Sequence, residues 1–321
     1  MATLRLGTRG SPLALVQART VAALLRERTG ADCEIVVIRT SGDVMADARL
    51  SEIGGKGLFV KEIEEALLAG TIDLAVHSSK DMPAQLPGGL EVCATLPRED
   101  PHDALVLPAP PESLPFDEAV RRLGPSPRVG TSSVRRVAQL TALLPHASFV
   151  PFRGNLDTRL RKLDQGDVDA IVLAAAGLKR LEQAGRITSL VSAEACVPAP
   201  GQGIVAIETR AGDAATTGLV ARIGDADALD ALHAERAVVA ALGGGCQMPI
   251  GAHATISGDT ITLAGVVIAP DGSRAARATA EGPRSEASSV GREAARRLLA
   301  GGADDILARI RSAVHTGPSR T

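Results

Sequence analysis

The sequence predicts an α/β protein of two similar lobes followed by a small α+β domain, and three observations carry that reading. Through the first two thirds, strands end at a capping side chain that opens a helix. Three of these junctions carry arginine: Arg9/Ser11, Ser132/Ser133/Arg135/Arg136 and Arg153/Asn155/Arg159. Proline-rich stretches at Pro97–Pro101, Pro108–Pro115 and Val197–Gly203 read as crossings between lobes. From about Leu219 the pattern changes to a helix, a hairpin, a further strand and two helices. The expected boundaries are 1–99 for lobe 1 (with 200–218 returning to it), 104–197 for lobe 2 and 219–321 for the C-terminal domain.

Taken in order, Leu4–Thr8 is a strand and Leu13–Arg28 a helix, with Ser11 as N-cap and Pro12 at the first helical position. The unpaired N–H groups of that helix start, with Arg9 beside them, suit an anion. Glu34–Thr40 is a second strand. A segment of little periodicity follows and ends in Gly54-Gly55-Lys56-Gly57, a loop carrying a cation. After a helix at Leu58–Ala69, the buried strand Ile72–Val76 runs into His77-Ser78-Ser79-Lys80-Asp81-Met82-Pro83. Open α/β sheets bind ligands at the carboxyl ends of such strands. The bland alternative is a solvated turn in which Lys80 merely pairs with Asp81.

In the second lobe the strands are Arg128–Thr131, Ser148–Phe152 and Ala170–Ala176. Helices run from Ser132 to Leu144 and from Leu156 to Asp164, and Gly177-Leu178-Lys179-Arg180 follows the last strand. Each arginine junction alone could be an ordinary cap with a solvated side chain. Three together suggest a cleft for a ligand with several carboxylates or phosphates, which arginine grips in bidentate fashion. No phosphate-binding glycine motif occurs, which argues against a nucleotide. Beyond the returning strand Ile204–Glu208, a helix from Ala228 to Leu242 leads into a loop. The strands His253–Ile256 and Thr260–Ile268, joined at Ser257-Gly258-Asp259, come next. A strand at Arg274–Ala280 and helices at Glu286–Leu299 and Asp304–Val314 complete the domain.

Composition limits the function. Of 321 residues 45% are hydrophobic, yet there is no Trp or Tyr and only four Phe, so the cores are aliphatic. The net charge of −2 speaks against a general nucleic-acid or membrane surface, and no apolar run approaches a membrane span. Residues 104–199 carry 12 basic and 9 acidic side chains, a local excess that suits a small anion. Cys33, Cys93, Cys196 and Cys246 form no C-x-x-C pair, so neither a zinc ribbon nor a disulfide scaffold is expected, and no metal. The expected setting is the cytoplasm. Cys246 stands apart: Gly243-Gly244-Gly245-Cys246-Gln247-Met248-Pro249 presents a thiol on a tight loop with bare backbone beside it. The plain alternative is an inert cysteine beside a glycine C-cap.

Seven blocks in order resemble the porphobilinogen deaminase (hydroxymethylbilane synthase) family along essentially the whole chain. They are Thr8–Leu15, Gly54–Glu62, Val76–Pro83, Val129–Arg136, Arg153–Arg159, Leu173–Arg180 and Glu235–Gly251. Met248 departs from the branched aliphatic or Thr usual there, a packing change. The resemblance implies two doubly wound lobes of the periplasmic-binding type with the active site between them, and a monomer. It implies a dipyrromethane cofactor in thioether linkage to Cys246, and the head-to-tail condensation of four porphobilinogens with loss of ammonia. On that reading Arg9, Arg135, Arg136, Arg153, Arg159, Arg180 and Lys80 meet the substrate carboxylates. Ser11, Thr131, Ser132 and Ser133 add neutral donors. Asp81 stabilises the cation formed on ammonia loss, with Asp43 the next candidate. Phe59 covers a pyrrole ring, and Lys56 sits on a loop that closes over it. Two other classes compete: a two-lobed solute-binding protein for a polycarboxylate, and an unrelated transferase with Cys246 as nucleophile. The second lacks a nearby His to activate the thiol.

Overall fold

The computed structural model describes residues 3–44, 60–110, 112–244 and 248–315. In lobe 1, β1 (Leu4–Thr8), α1 (Pro12–Thr29), β2 (Cys33–Val37), α2 (Ser41–Val44), α3 (Lys61–Leu68), β3 (Leu74–Ser78) and β4 (Leu90–Thr95) follow one another. Lobe 2 contains β5 (Asp103–Val106), α4 (Phe116–Arg122), β6 (Arg128–Gly130), α5 (Val134–Leu143), β7 (Ser148–Val150), α6 (Leu156–Asp164), β8 (Ala170–Ala174), α7 (Ala175–Arg180) and β9 (Ser189–Val191). The chain then returns through β10 (Val205–Arg210) and α8 (Ala214–Val220). It ends in α9 (Ala226–Ala241), β11 (Ile250–Ser257), β12 (Thr260–Ile268), β13 (Ala275–Pro283), α10 (Ala287–Ala300) and α11 (Ala303–His315). Among the described residues no helix is long and apolar enough to cross a membrane.

The two lobes are built to one plan. Their sheets run β2-β1-β3-β10-β4 and β7-β6-β8-β5-β9. In each, the first three strands are parallel, and the fourth lies antiparallel to both neighbours. That antiparallel strand is the one delivered by a crossing: β10 returning to lobe 1, β5 entering lobe 2. Alternation along the strands fills both faces. Leu74 and Val76 pack with Ala18, Val21 and Leu25 of α1, while Ala75 meets Ile63 and Leu67 of α3. Lobe 2 repeats this, with Ile171 and Leu173 on one face and Ala170 and Val172 on the other.

Several elements differ from the sequence expectation for local reasons. Ala170–Ala176 divides between β8 and α7 at Ala174, the last residue of the strand paired with β5. The β5 strand lies between two proline clusters that read as crossing. β4, β9, α4 and α8 also lack a clear periodic signal. Met248 packs against the aliphatic core of the C-terminal domain, as a gap-filling role requires.

One carboxylate ties the C-terminal domain to both crossings. Glu235 on α9, fully buried, accepts from Arg98 Nη1 in the first crossing (2.6 Å), from Gly201 N–H in the second (2.6 Å) and from Ala254 N–H on β11 (2.8 Å). Arg98 Nε also donates to Gln202 O at 2.9 Å, and Glu99 N–H to Gly203 O at 3.0 Å. Gly203 has φ +86°, and a Cβ there would lie 2.2 Å from Glu99 O, so the two crossing segments touch only because it is glycine. Burial disfavours the Glu235 charge, but Arg98 and His253 outweigh it and hold the carboxyl below the ordinary range.

Glu235→Ala leaves the Arg98 guanidinium without its counter-charge and two backbone N–H groups without acceptors. Urea unfolding is expected to show a loss of about 3–5 kcal/mol, the scale for breaking one side of a buried pair. Because the folded pKa is depressed, this contribution is present above the unfolded value of about 4.3 and fades as pH falls below it. The gap between the variant and the unmodified protein should therefore hold from pH 7 to about 5 and narrow in stronger acid.

Candidate active site between the lobes

The carboxyl ends of the parallel strands supply most of the predicted residues. Arg9 follows β1, and Ser11 caps α1, accepting from Ala14 N–H at 3.3 Å. Lys80 and Asp81 lie on a short turn, Ser79–Asp81, directly after β3. Arg9, Ser11, Gln17, His77, Ser78 and Asp81 line one cavity of lobe 1. Gln17 Nε2 donates to Ser78 Oγ at 2.9 Å and fixes one wall of it.

On lobe 2 the neutral donors are tied to the backbone. Ser132 Oγ accepts from Phe152 N–H at 3.0 Å and donates to Phe152 O at 3.2 Å. Ser133 caps α5 through Arg136 N–H, and Thr131 Oγ1 accepts from Ser133 N–H at 3.2 Å. The arginines of α5 turn inward. Fully buried Asp103 on β5 accepts from Arg135 Nη2 at 2.7 Å and from Arg136 Nε and Nη2 at 2.9 and 2.8 Å. Gln202 Nε2, from the second crossing, donates to Asp103 at 3.0 Å. Burial works against the Asp103 charge, yet the two arginines outweigh it and hold the carboxyl far below the usual carboxylate range. One acid holds two cations, and Arg135 Nε is buried with no partner.

The remaining cations come from neighbouring elements. Arg159 on α6 donates from Nε to Gly154 O at 2.8 Å, and Arg180 on α7 donates to Gly203 O at 2.7 Å. Arg153 precedes the Asn155 cap of α6, whose Oδ1 accepts from Thr158 N–H at 2.9 Å. Burial, then the charge of Arg136, lowers Lys80 to about 8 despite Asp81 and Asp103. Burial and Arg136 likewise lower Arg159 to about 10, with Arg153 adding to the effect against Asp81. Lys80 thus senses Arg135 and Arg136, and Arg159 senses Asp81 and Arg136. These effects join residues from both lobes into one field in which cations outnumber acids. A polycarboxylate would relieve that repulsion, so the donor set fits an anionic chain of carboxylated pyrroles.

Cys246, Lys56 and Phe59 lie outside the described residues, as does the side chain of Asp43. The approach to Cys246 is defined. α9 ends at Ala241, and Arg311 of α11 donates to Leu242 O at 2.9 Å and to Gly243 O at 3.3 Å. Gly243 has φ +60°, the left-handed region that favours glycine, and a Cβ on Gly244 would press on the end of the Ile250 side chain at 2.4 Å.

Sequence reasoning missed three groups at this site. Asp103 and Gln202 are hidden among the crossing prolines, although an Asp opening the apolar run Ala104–Val106 was a usable signal. Glu208, an acid in the buried strand β10, was the other.

Two family models match the chain: "Porphobilinogen deaminase, dipyromethane cofactor binding domain" over residues 4–218 and "Porphobilinogen deaminase, C-terminal domain" over residues 229–300. The porphobilinogen deaminase of Syntrophotalea carbinolica is 49% identical over 306 residues, covering 95% of each chain. That of Bordetella parapertussis is 50% identical over 308 residues, covering 96% of each. Among solved structures, substrate binding domain 2 of Lactococcus lactis GlnP is 10% identical with a TM-score of 0.42, covering 76% of this chain and 91% of that one.

Asp103→Asn should leave Arg135 and Arg136 buried without a charge partner and cost about 3–5 kcal/mol in urea unfolding at pH 7. Its folded pKa is depressed, so the contribution is complete above the unfolded value of about 3.9 and is lost as pH falls toward the folded one. A variant as stable as the unmodified protein at pH 7 would show that the arginines find their counter-charge elsewhere.

Proposed function

We propose that this chain, which belongs to the porphobilinogen deaminase family, joins four porphobilinogen molecules head to tail, releasing ammonia at each addition and the linear tetrapyrrole hydroxymethylbilane by hydrolysis at the end. The family consists of transferases of tetrapyrrole biosynthesis that carry a dipyrromethane cofactor. The observation that carries the reading is the cation-rich field around Asp81, drawn from strand ends of both lobes.

Held in thioether linkage to Cys246, the dipyrromethane would supply the primer to which each new pyrrole is added. Each substrate brings an acetate and a propionate, so negative charge accumulates along the cleft. Arg135 and Arg136, fixed by Asp103, hold the primer's carboxylates. Arg9, Arg153, Arg159, Arg180 and Lys80 meet those of incoming and growing units. Ser11, Thr131, Ser132 and Ser133 shape the helix starts whose N–H groups face the same anions. Asp81 keeps its carboxylate against the pyrrole N–H groups and the cation left when ammonia departs. At an effective dielectric near 20 and about 4 Å, such a pair is worth about 4 kcal/mol. Phe59 covers a ring, and Lys56 belongs to the loop above it. A thiol that must stay reduced to form the thioether suits the cytoplasm. A solute-binding protein would account for two lobes and a cationic cleft, but not for a third domain matched by the family's C-terminal model.

The intact mass of the purified protein should exceed the sequence mass by one dipyrromethane, mapping to the peptide that contains Cys246, and Cys246→Ser should remove adduct and activity together. In cofactor-loaded protein, Asp81→Asn should slow single-turnover coupling by at least about 10²-fold, the scale for one positioned electrostatic group, while Asp81→Glu retains part of the rate. Wild-type coupling by Asp81→Asn would reduce Asp81 to a partner of Lys80.

A further inference from the structure

The wall of the Asp81 cavity conceals ionisable groups that binding of carboxylates does not use. His77 on β3, 5% exposed, lines the cavity together with Asp81, and its Nε2 lies 3.0 Å from Glu208 Oε2 on the adjacent strand β10. Glu208 is fully buried. Glu64 of α3, also buried, faces Glu208 and His77, and Arg236 of α9 acts on it from the other side. One oxygen of each acid, Glu208 Oε1 and Glu64 Oε1, is buried with no hydrogen-bond partner. An apolar strand interior has no structural need for two acids and an imidazole. Burial, then the charge of Glu208, pushes Glu64 up to about 7.

The hydrogen bond sets the tautomer. With Nε2–H donating to a carboxylate, Nδ1 is the unprotonated ring nitrogen and an acceptor. We propose that His77 Nδ1 accepts the proton released when two pyrroles are coupled, and that Glu208 is the positioning residue that holds His77 in its accepting tautomer. The proposal rests on the reaction proposed above. In that reaction the substrate's aminomethyl C–N bond breaks and ammonia leaves with the electron pair. A C–C bond then forms to the free α-carbon of the terminal ring. The C–H bond at that carbon breaks last: its electrons restore the aromatic ring, and its proton passes to His77 Nδ1. The resulting imidazolium faces Glu208 and yields the proton to the departing ammonia, so that ammonium is the balanced by-product. Asp81 remains the fixed counter-charge throughout. An imidazole is better matched than a carboxylate to taking a proton near neutral pH. The charged groups around His77 are Glu208 from β10, Glu64 from α3 and Arg236 from α9, with Asp81 and Arg9 lining the same cavity.

Two measurements test this on the cofactor-loaded full chain. ¹⁵N spectra of histidine-labelled protein, which need no turnover, should show His77 protonated at Nε2 and bare at Nδ1 at pH 8. Single-turnover coupling is then followed with porphobilinogen and with porphobilinogen deuterated at its free α-carbon. His77→Asn should couple about 10²-fold more slowly, the low end for a positioned acid–base group, and become sensitive to deuterium because proton loss now limits the rate. Glu208→Gln should slow coupling less and acquire the same sensitivity. A His77 proton on Nδ1, or slow variants whose rates ignore deuterium, would overturn the proposal and leave the cluster a packing feature. Unmodified protein that consumes no porphobilinogen would sink the underlying reaction as well.

Discussion

The fold hangs on the Glu235 carboxylate. Its two oxygens collect a guanidinium from the first crossing, a backbone N–H from the second and another from the C-terminal sheet. The arrangement costs the desolvation of an acid, offset because nearly every lone pair finds a donor. The same helix that carries Glu235 ends beside the glycines preceding Cys246.

A second buried acid organises the charge of the cleft. Asp103 neutralises one of the two arginines it binds, and what remains is a fixed positive centre that neither water nor a flexible side chain can dissipate. Burial first, and then the charge of Arg136, lowers the affinity of Lys80 and Arg159 for their protons. Pre-organised charge of this kind favours an anionic ligand without spending binding energy on assembling the site. Gln202 links the centre to the crossing, so Asp103 and Glu235 are bridged through Gln202 and Arg98.

Much of this was legible before any coordinates. Capping residues announced α1, α5 and α6, because Ser11, Ser133 and Asn155 each satisfy a backbone N–H that nothing else reaches. The β11–β12 hairpin was readable from Gly258, and the turn carrying Asp81 from its place after an apolar strand. What stayed hidden were pairings between distant positions. That Arg135 and Arg136 look inward to Asp103 depends on β5 lying against β8, a neighbourhood that local periodicity does not encode. The acid Glu208 in β10 was invisible for the same reason: its partner His77 lies 131 residues away in sequence and one strand away in space.

The late return of β10 to lobe 1 has a consequence for biosynthesis. Lobe 2 draws its whole sheet from one contiguous segment, 103–191, and can close as soon as that segment leaves the ribosome. Lobe 1 cannot. Its position between β3 and β4 is filled by β10, so the N-terminal strands must wait, with two strand edges exposed, until residues 205–210 have been made. The lobe translated first is thus the one completed later.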